Sequence, residues 1–341
     1  MSINKSQSQC LITGVYRSGT EFVAQLLSGH PRLSTTMYHV NAFRFIRNRY
    51  EPLSDIASVR RAVSATAQRL NARYGLILAE DRVVERFERA GGSSCAALYD
   101  AVMTELWVRD ERNHWAEKCQ LLWREIPEFI ADMPNGRAIL VLRDPRSTLA
   151  SFKHYTYAPS PAYLGAIFNC VDAFRCAQMY RQSLPRDRLL VARFEDAASN
   201  PQETAERMLR FLGLDPEEAT YDRSQWRNER GENWTSNTAF SEPFEVEKAI
   251  TRWRTVLSGV ELALTEEVCG DVMRVFDYEP EGAVINWPEA QLVCRGDRQV
   301  AEWLERWRTE DEGVEAFPTD PLLAENWEET KKPLERVSRA L

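Results

Sequence analysis

The chain has 341 residues, of which 44% are hydrophobic, so it is long enough to bury a substantial core. A formal net charge of −8 argues against nonspecific nucleic-acid binding as the main task, because affinity for a phosphate backbone requires a basic surface. Seven scattered cysteines form no Cys-x-x-Cys pair, which favours reduced thiols over a disulfide framework or a zinc site.

The N-terminal residues 1–9 are polar and lead directly into the first predicted strand. No apolar run in the chain approaches the length of a membrane span. We therefore expect a cytoplasmic protein with neither a secretion signal nor a membrane anchor.

A turn bracketed by two glycines joins the first predicted strand to the first predicted helix. Leu11 and Ile12 suit a buried strand, and the residues after the turn give a helix with an apolar face. Gly14 and Gly19 let the backbone curl with its N–H groups inward, so that an anion can sit at the helix N-terminus. The stretch predicts a phosphate-binding loop, although two glycines at this spacing also occur in an ordinary strand–helix turn.

This loop differs from the loop of nucleotide-hydrolysing proteins. The spacing Gly14-x-x-x-x-Gly19 matches the ATPase pattern, but Thr20 and Glu21 follow where that pattern has lysine and then serine or threonine. A carboxylate at Glu21 is a poor neighbour for a triphosphate with magnesium, whereas Arg17 supplies a permanent planar cation. We expect the loop to bind phosphate without nucleotide hydrolysis.

Short strands alternate with helices along the next two hundred or so residues. Strands are predicted at 33–37, 114–118, 137–142 and 188–194, and helices at 55–70, 95–108, 121–130, from Pro145 onward, at 161–180 and from Asn200 to a stop at Gly213. This alternation implies a parallel sheet covered on both faces. We predict an α/β protein with a P-loop-like three-layer α/β/α fold and a central parallel sheet.

The pattern loosens beyond residue 214. Residues 226–240 predict a polar loop, 245–258 and 262–276 predict helices, and the chain from 281 is acidic and rich in tryptophan. We predict one domain over residues 9–279 and a C-terminal helical extension over residues 280–341. The extension packs on the domain, forms a lid or makes an oligomer contact, and the sequence does not rank these.

Four motifs stand in order at predicted strand and helix junctions. They are Tyr16-Arg17-Ser18-Gly19-Thr20, Arg143-Asp144-Pro145-Arg146 with Ser151 eight residues past Arg143, Arg193-Phe194-Glu195-Asp196, and Phe211-Leu212-Gly213-Leu214. Together they resemble the sulfotransferases that use 3′-phosphoadenosine 5′-phosphosulfate (PAPS). The resemblance is closest to the branch with an Arg-Ser-Gly-Thr loop, which includes tyrosylprotein and bacterial carbohydrate or nodulation-factor sulfotransferases.

The resemblance implies two sites for the cofactor. The first loop, Arg17 to Thr20 with Ser18 and Gly19 between them, binds the 5′-phosphosulfate, and Arg143 with Ser151 binds the 3′-phosphate. The residue chemistry agrees, because Arg143 offers a bidentate fork and Ser151 a hydroxyl donor. Arg143 and Asp144 form a strand-end salt bridge in the alternative interpretation.

A later segment resembles the part of the family that closes over the cofactor. By that resemblance Ser236 and Thr238 contact phosphate or form a lid, and ordinary loop turns are the alternative.

Sulfuryl transfer between oxygens requires stabilisation of charge on the departing oxygen and a base for the acceptor hydroxyl. No metal is required. We expect Arg17 and Lys118 to supply the positive charge, since Lys118 matches by resemblance a lysine that closes a nearby strand. An exposed strand-end lysine is the alternative interpretation of Lys118.

The group that takes the proton of the acceptor hydroxyl is sought after the second predicted strand. The tyrosylprotein branch has a glutamate after the second strand, whereas residues 35–39 contain no carboxylate. We expect His39 to take the acceptor proton, because a histidine near neutral pKa suits that task, and a structural histidine is equally compatible. His114 and His154 are alternates, while His30 fits the end of the first helix. Glu21 stands where the family has threonine or serine, so it turns outward or binding is weaker.

The expected protein is a PAPS-dependent sulfotransferase that acts on a hydroxyl of a carbohydrate or small-molecule acceptor and releases 3′-phosphoadenosine 5′-phosphate (PAP). It needs no metal, nucleic acid or membrane, and its C-terminal extension is a candidate homo-oligomer contact. Two alternatives stay open. A nucleotide or sugar kinase would need a lysine after Gly19, and a noncatalytic nucleotide-binding protein would explain the missing carboxylate.

Overall fold

The structure, a computed structural model, describes residues 7–109, 113–155, 160–228, 231–234 and 245–316, without the side chains of residues 48, 154 and 155. The chain divides into two compact units. A helical unit comprises His39–Val108, and an α/β unit comprises the described residues of Asn4–Tyr38 and Arg109–Thr319. Each unit is described separately below.

The α/β unit is built on a five-stranded sheet whose strands are all parallel. The strands are β1 (Gln9–Gly14), β2 (Leu33–Met37), β3 (His114–Lys118), β4 (Gly136–Leu142) and β5 (Leu189–Arg193), in the spatial order β2-β3-β1-β4-β5. Every residue of the central strand β1 is buried, as expected where helices flank a parallel sheet. The predicted α/β fold with a central parallel sheet is confirmed.

Helices account for most of the remaining described chain. In chain order they are α1 (Thr20–Leu27), then α2 (Ala42–Phe45), α3 (Arg47–Tyr50), α4 (Ile56–Tyr74), α5 (Glu80–Arg89) and α6 (Cys95–Trp107) of the helical unit, and then α7 (Ile126–Asp132), α8 (Pro145–Tyr155), α9 (Gly165–Ser183), α10 (Phe194–Ser199), α11 (Pro201–Leu212), α12 (Val246–Thr251), α13 (Trp253–Val256), α14 (Gly259–Val275), α15 (Trp287–Cys294) and α16 (Arg298–Glu310). Within the described ranges, none of these helices combines the length and hydropathy that crossing a membrane requires.

The helices of the structure differ from the predicted helices in three places. Helix α5 was not predicted, because its charged sequence buries only Val83, Val84 and Phe87. The helix predicted at 121–130 begins only at residue 126, since the backbone N–H groups of Leu121 and Leu122 donate instead to Gly14 O and Thr13 Oγ1. The helix predicted at 245–258 is divided into α12 and α13.

The described part of the predicted C-terminal extension packs on the α/β unit through α9. The rings of Trp303 and Phe168 pack edge to face with centroids 6.4 Å apart. After α16 the chain runs beside α9, where Val314 N–H donates to Phe168 O at 3.1 Å and Ala316 N–H donates to Asn169 Oδ1 at 3.1 Å. The predicted domain boundary between residues 279 and 280 stays a prediction.

Both glycines of the β1–α1 turn are required by close approach of other atoms. A Cβ added to Gly14 would lie 2.5 Å from the carbonyl oxygen of Val141. Gly19 has a φ of +88°, and its Cβ would overlap the ring of Phe194. The predicted glycine-bracketed turn is therefore present, and it packs directly against β4 and against Phe194, which follows β5.

We expect Gly19→Ala to destabilise the protein more than Gly213→Ala does. Gly213 also has a positive φ, +75°, but no atom lies within 4 Å of its added Cβ, so it reports the backbone strain alone. That strain is about 1 kcal/mol, and overlap with the Phe194 ring should add about 1–3 kcal/mol. Urea unfolding of the two variants measures the difference, and equal free energies of unfolding would contradict the close contact.

His114 is buried at the amino-terminal edge of the sheet, where it is the first residue of β3. Its Nδ1 accepts the Ser8 N–H at 2.8 Å, and Arg32 Nη2 lies 3.3 Å from its Nε2. Burial, together with the positive charges of Arg32 and Arg137, lowers the pKa of His114 to about 4. The imidazole is therefore neutral in the folded protein and performs a structural role.

This lowered pKa makes folding sensitive to acid. Unfolded His114 takes up a proton near pH 6.5, but the folded protein does so only near pH 4, so stability falls as pH decreases between these values. Between pH 7 and 5 the contribution is about 2 kcal/mol. His114→Asn keeps an acceptor for the Ser8 N–H and does not titrate, so chemical denaturation should show a smaller pH dependence in the variant. An identical loss in both proteins would refute this account.

Candidate functional site

The loops after β1, β3 and β4 meet at the carboxyl-terminal edge of the sheet. In a parallel sheet all strands end at the same edge. Ligands bind at that edge between two neighbouring strands whose following loops lead to opposite sides of the sheet. Here β1 lies between β3 and β4, so the three loops are neighbours. Leu121 N–H donates to Gly14 O at 3.1 Å, and Arg143 Nη1 donates to Arg17 O at 2.9 Å. The structure thus joins the predicted phosphate loop to the residues that follow both neighbouring strands.

Two hydroxyl groups of the phosphate loop are buried and have no partner in the described part of the chain. The side chains of Ser18 and Thr20 are each 1% exposed, and neither hydroxyl oxygen has a hydrogen-bond partner among the described residues. Buried hydroxyls are nearly always paired in folded proteins. Thr20 also begins α1, whose first N–H groups lack partners within the helix. These donors form a site that suits an anion.

Arg17 connects this loop to α8. Its Nε donates to Ser151 Oγ at 3.1 Å, and Ser151 is buried. The two residues are 134 positions apart in the sequence. The two predicted phosphate sites are therefore adjacent and lie on the same side of the sheet edge.

Arg143 is a buried cation that no carboxylate neutralises directly within the described residues. It is 5% exposed, its Nη1 and Nη2 donate to the carbonyl oxygens of Arg17 and Ala249, and its Nε has no partner there. The guanidinium carbon lies 4.5 Å from the centroid of the Phe194 ring. Burial and the nearby Arg17 charge lower the pKa of Arg143 to about 10. An anion placed here would remove much of the cost of burying this charge.

The strand-end salt bridge between Arg143 and Asp144 does not form. The Asp144 carboxylate instead accepts the backbone N–H of Arg146 at 2.8 Å and three hydrogen bonds from its guanidinium, the shortest of them 2.7 Å from Nη2. Arg146 Nη1 also donates to Glu266 at 2.8 Å, so two carboxylates neutralise this second arginine. The structure thus leaves the charge of Arg143 available to a ligand.

Lys118 is the last residue of β3 and is only 3% exposed, so it is not the exposed strand-end lysine of the alternative interpretation. Its Nζ lies 4.1 Å from the centroid of the Tyr38 ring and 3.4 Å from Gln120 Oε1. Tyr38 N–H donates to Lys118 O at 3.0 Å, with a φ of +62° at Tyr38. The negative face of an aromatic ring attracts an ammonium, which offsets part of the cost of burying it.

The other predicted residues are distributed as follows. His39 belongs to the helical unit, where its ring packs against Tyr74 and Trp107 at centroid distances of 4.4 Å and 5.4 Å. Glu21 is half-buried in the first turn of α1. The side chains of His154, Ser236 and Thr238 lie outside the described residues. Over the described ranges, no group of three or more His, Cys, Asp or Glu side chains is arranged to hold a metal ion.

Sequence reasoning missed the functions of two carboxylates near the site. In the sequence Glu195 is only one member of the Arg193–Asp196 motif, yet in the structure it accepts the Asp144 N–H at 3.0 Å. Glu266 was not considered, although it binds Arg146. The only local signal was an acidic residue directly after a predicted strand, and the partners lie 51 and 120 positions away.

Comparison with known proteins agrees with this geometry. The model of a family described as "Sulfotransferase family" matches residues 10–218. Carbohydrate sulfotransferase 3 of Tetronarce californica is 26% identical over 166 residues, which are 42% of this chain and 36% of that protein. The chain thus aligns with about a third of the length of this relative.

Two solved structures share the fold. The sulfotransferase domain from the curacin biosynthetic pathway is 18% identical, has a TM-score of 0.52, and the match covers 80% of this chain and 98% of that one. The sulfotransferase domain of the olefin synthase from Synechococcus PCC 7002 is 17% identical, with a TM-score of 0.53 and coverage of 80% and 96%. The family match includes the phosphate loop, Lys118, Arg143 and Ser151. The chain belongs to the sulfotransferase family.

Proposed function

We propose that the protein transfers a sulfuryl group from PAPS to a hydroxyl of a carbohydrate or small-molecule acceptor. The observation that carries this proposal is the buried guanidinium of Arg143, which no carboxylate pairs within the described residues and which lies beside Arg17 and Ser151. Membership of the sulfotransferase family favours this reaction over that of a kinase. The absence of a lysine directly after Gly19 agrees with that preference.

The residues present fit a nucleotide with phosphate groups at both the 5′ and 3′ positions. We assign the 5′-phosphosulfate to the loop that contains Ser18 and Thr20, whose buried hydroxyls have no partner in the described chain. We assign the 3′-phosphate to Arg143 and Ser151. Arg17 lies in the same loop and bonds to Ser151, so its charge acts on both positions. Ser236 and Thr238 stay proposed contacts of the cofactor.

Arg17 and Lys118 would stabilise the charge that develops during the reaction. When bound, PAPS supplies the sulfuryl group, and its transfer leaves negative charge on the bridging phosphate oxygen. Lys118 is buried, so its charge acts through a medium of lower dielectric constant than water. The ring of Tyr38 orients the Lys118 ammonium before the reaction begins, which avoids reorganisation during the chemical step.

The comparison with a named relative bears on the nature of the acceptor. The relative from Tetronarce californica is named a carbohydrate sulfotransferase, which supports a sugar hydroxyl as the acceptor.

All seven cysteines are free and buried, which supports the expected reducing, cytoplasmic compartment. A homo-oligomer contact through the C-terminal extension stays a prediction.

Thermal denaturation and calorimetry with nucleotides test the proposed function. PAP should raise the melting temperature more than ATP with magnesium does. Arg143→Ala should weaken PAP binding by about 2–3 kcal/mol, because a charge-assisted hydrogen bond to phosphate is lost. Adenosine 5′-monophosphate, which lacks the 3′-phosphate, is the matched control and should bind both proteins equally.

Three results would count against the proposal. A larger stabilisation by ATP with magnesium would favour a kinase. An unchanged PAP affinity in Arg143→Ala would remove the assigned 3′-phosphate site. PAP binding without sulfuryl transfer to any member of an acceptor panel would indicate a noncatalytic nucleotide-binding protein.

We assign the role of general base to His39, which follows Tyr38 directly in the chain. His39→Ala should lower turnover about 10²-fold or more at neutral pH while PAP affinity is retained, because only the proton transfer is lost. Added hydroxide should partly replace the base, so the deficit should shrink as the pH rises in a pH–rate profile. Full activity of the variant at both neutral and high pH would exclude His39.

A further inference from the structure

Glu195 is a buried carboxylate in the first turn of α10, directly after β5. Its Oε1 accepts the Asp144 N–H at 3.0 Å, and its Oε2 accepts the Tyr278 hydroxyl at 2.6 Å. Asp144 follows Arg143, so the first of these bonds fixes the direction in which the chain leaves β4. Tyr278 comes from the segment after α14, and its hydroxyl holds the carboxylate in one orientation.

The charges around Glu195 differ from those around the neighbouring carboxylates. Asp144 and Glu266 both bond to Arg146, so each of them already has a cationic partner. Glu195 bonds to a backbone N–H and a phenol, neither of which carries a charge. Its charge therefore acts through space on nearby cations, among them Arg143, which has no carboxylate partner in the described chain. Consistent with this, Glu195 raises the pKa of Arg143, and burial raises the pKa of Glu195 while Arg143 lowers it.

The remaining groups that face Glu195 do not replace this interaction. Besides the Asp144 N–H, only the Tyr278 hydroxyl bonds to the carboxylate within the described chain, and the guanidinium carbon of Arg193 lies 4.5 Å from the centroid of the Tyr278 ring. Arg193 also lies 3.9 Å from Asp277, so part of its charge is offset at the surface. A phosphate bound at Arg143 would share that guanidinium with the Glu195 carboxylate, and two anions that share one cation repel each other.

We propose that Glu195 is a positioning residue that holds Arg143 in place and limits how tightly the site binds a 3′-phosphate. The inference rests on the proposed function, because it assigns the 3′-phosphate to Arg143. The hydrogen bond to Asp144 N–H positions Arg143, and the negative charge of Glu195 lowers the affinity of the site for the nucleotide. A site of this kind releases PAP faster than an arginine without a nearby carboxylate would.

Glu195→Gln separates the two roles, since glutamine keeps the size of the side chain and an acceptor for the Asp144 N–H but removes the charge. Calorimetry at pH 8 should show PAP bound about tenfold more tightly by the variant than by the unchanged protein. Adenosine 5′-monophosphate should bind both proteins equally. A purely structural role would instead leave PAP affinity unchanged or lower it.

Tyr278→Phe provides a second variant that leaves the carboxylate in place. Loss of the phenol donor should raise the pKa of Glu195 further, because that hydrogen bond favours the charged form. The carboxylate is then neutral over a wider range of pH, so PAP should bind more tightly than to the unchanged protein. Asp196→Asn removes the neighbouring carboxylate and is the matched control, for which no change in PAP affinity is expected.

The outcomes distinguish this inference from the proposed function. If the unchanged protein prefers PAP to adenosine 5′-monophosphate but folded Glu195→Gln and Tyr278→Phe show no gain for PAP, the inference is wrong and the proposed function stands. An equal gain for both nucleotides would also overturn it, because the effect would not concern the 3′-phosphate. If the unchanged protein shows no preference for PAP, the assigned 3′-phosphate site is wrong and the inference is overturned with it.

Discussion

The burial of one positive charge constrains the whole candidate site. A guanidinium removed from water is costly unless hydrogen bonds and an opposite charge compensate it. Arg143 obtains carbonyl oxygens from the phosphate loop and from α12, and the face of the Phe194 ring beneath it. The same ring fills the space where a side chain at Gly19 would lie. One side chain therefore links the phosphate loop to β4, α10 and α12.

The two arginines of the Arg143-Asp144-Pro145-Arg146 motif have opposite environments although they are three residues apart. Arg146 is bonded by two carboxylates and lies 4.2 Å from the centroid of the Trp253 ring, so it is neutralised and fixes the start of α8. Arg143 is bonded to neutral carbonyl groups and retains its charge. If Arg143 binds the 3′-phosphate as proposed, the arrangement separates the neutralised arginine that fixes α8 from the arginine that contacts the ligand.

The features that sequence reasoning predicted are those that local chemistry determines. The apolar run of β4, the glycines of the β1–α1 turn and the stop at Gly213 each follow from a few adjacent residues. The features it missed depend on partners far along the chain. The helix does not begin at residue 121 because the N–H groups of Leu121 and Leu122 bond to β1. The contacts of Ser151 and Glu195 follow from the order of the strands. Partners that lie so far apart in the chain leave no periodic pattern in the sequence from which they could be predicted.

The helical unit enters the chain between the edge strand β2 and its neighbour β3. The two strands pair in parallel from Leu33 with His114 to Met37 with Lys118, so both ends of the inserted segment are anchored by the sheet itself. The entropy of closing such a segment grows only slowly with its length. Insertions, deletions or exchanges within residues 40–108, which leave the proposed base His39 in place, should therefore not disturb the register of the strands that carry the proposed donor-binding residues.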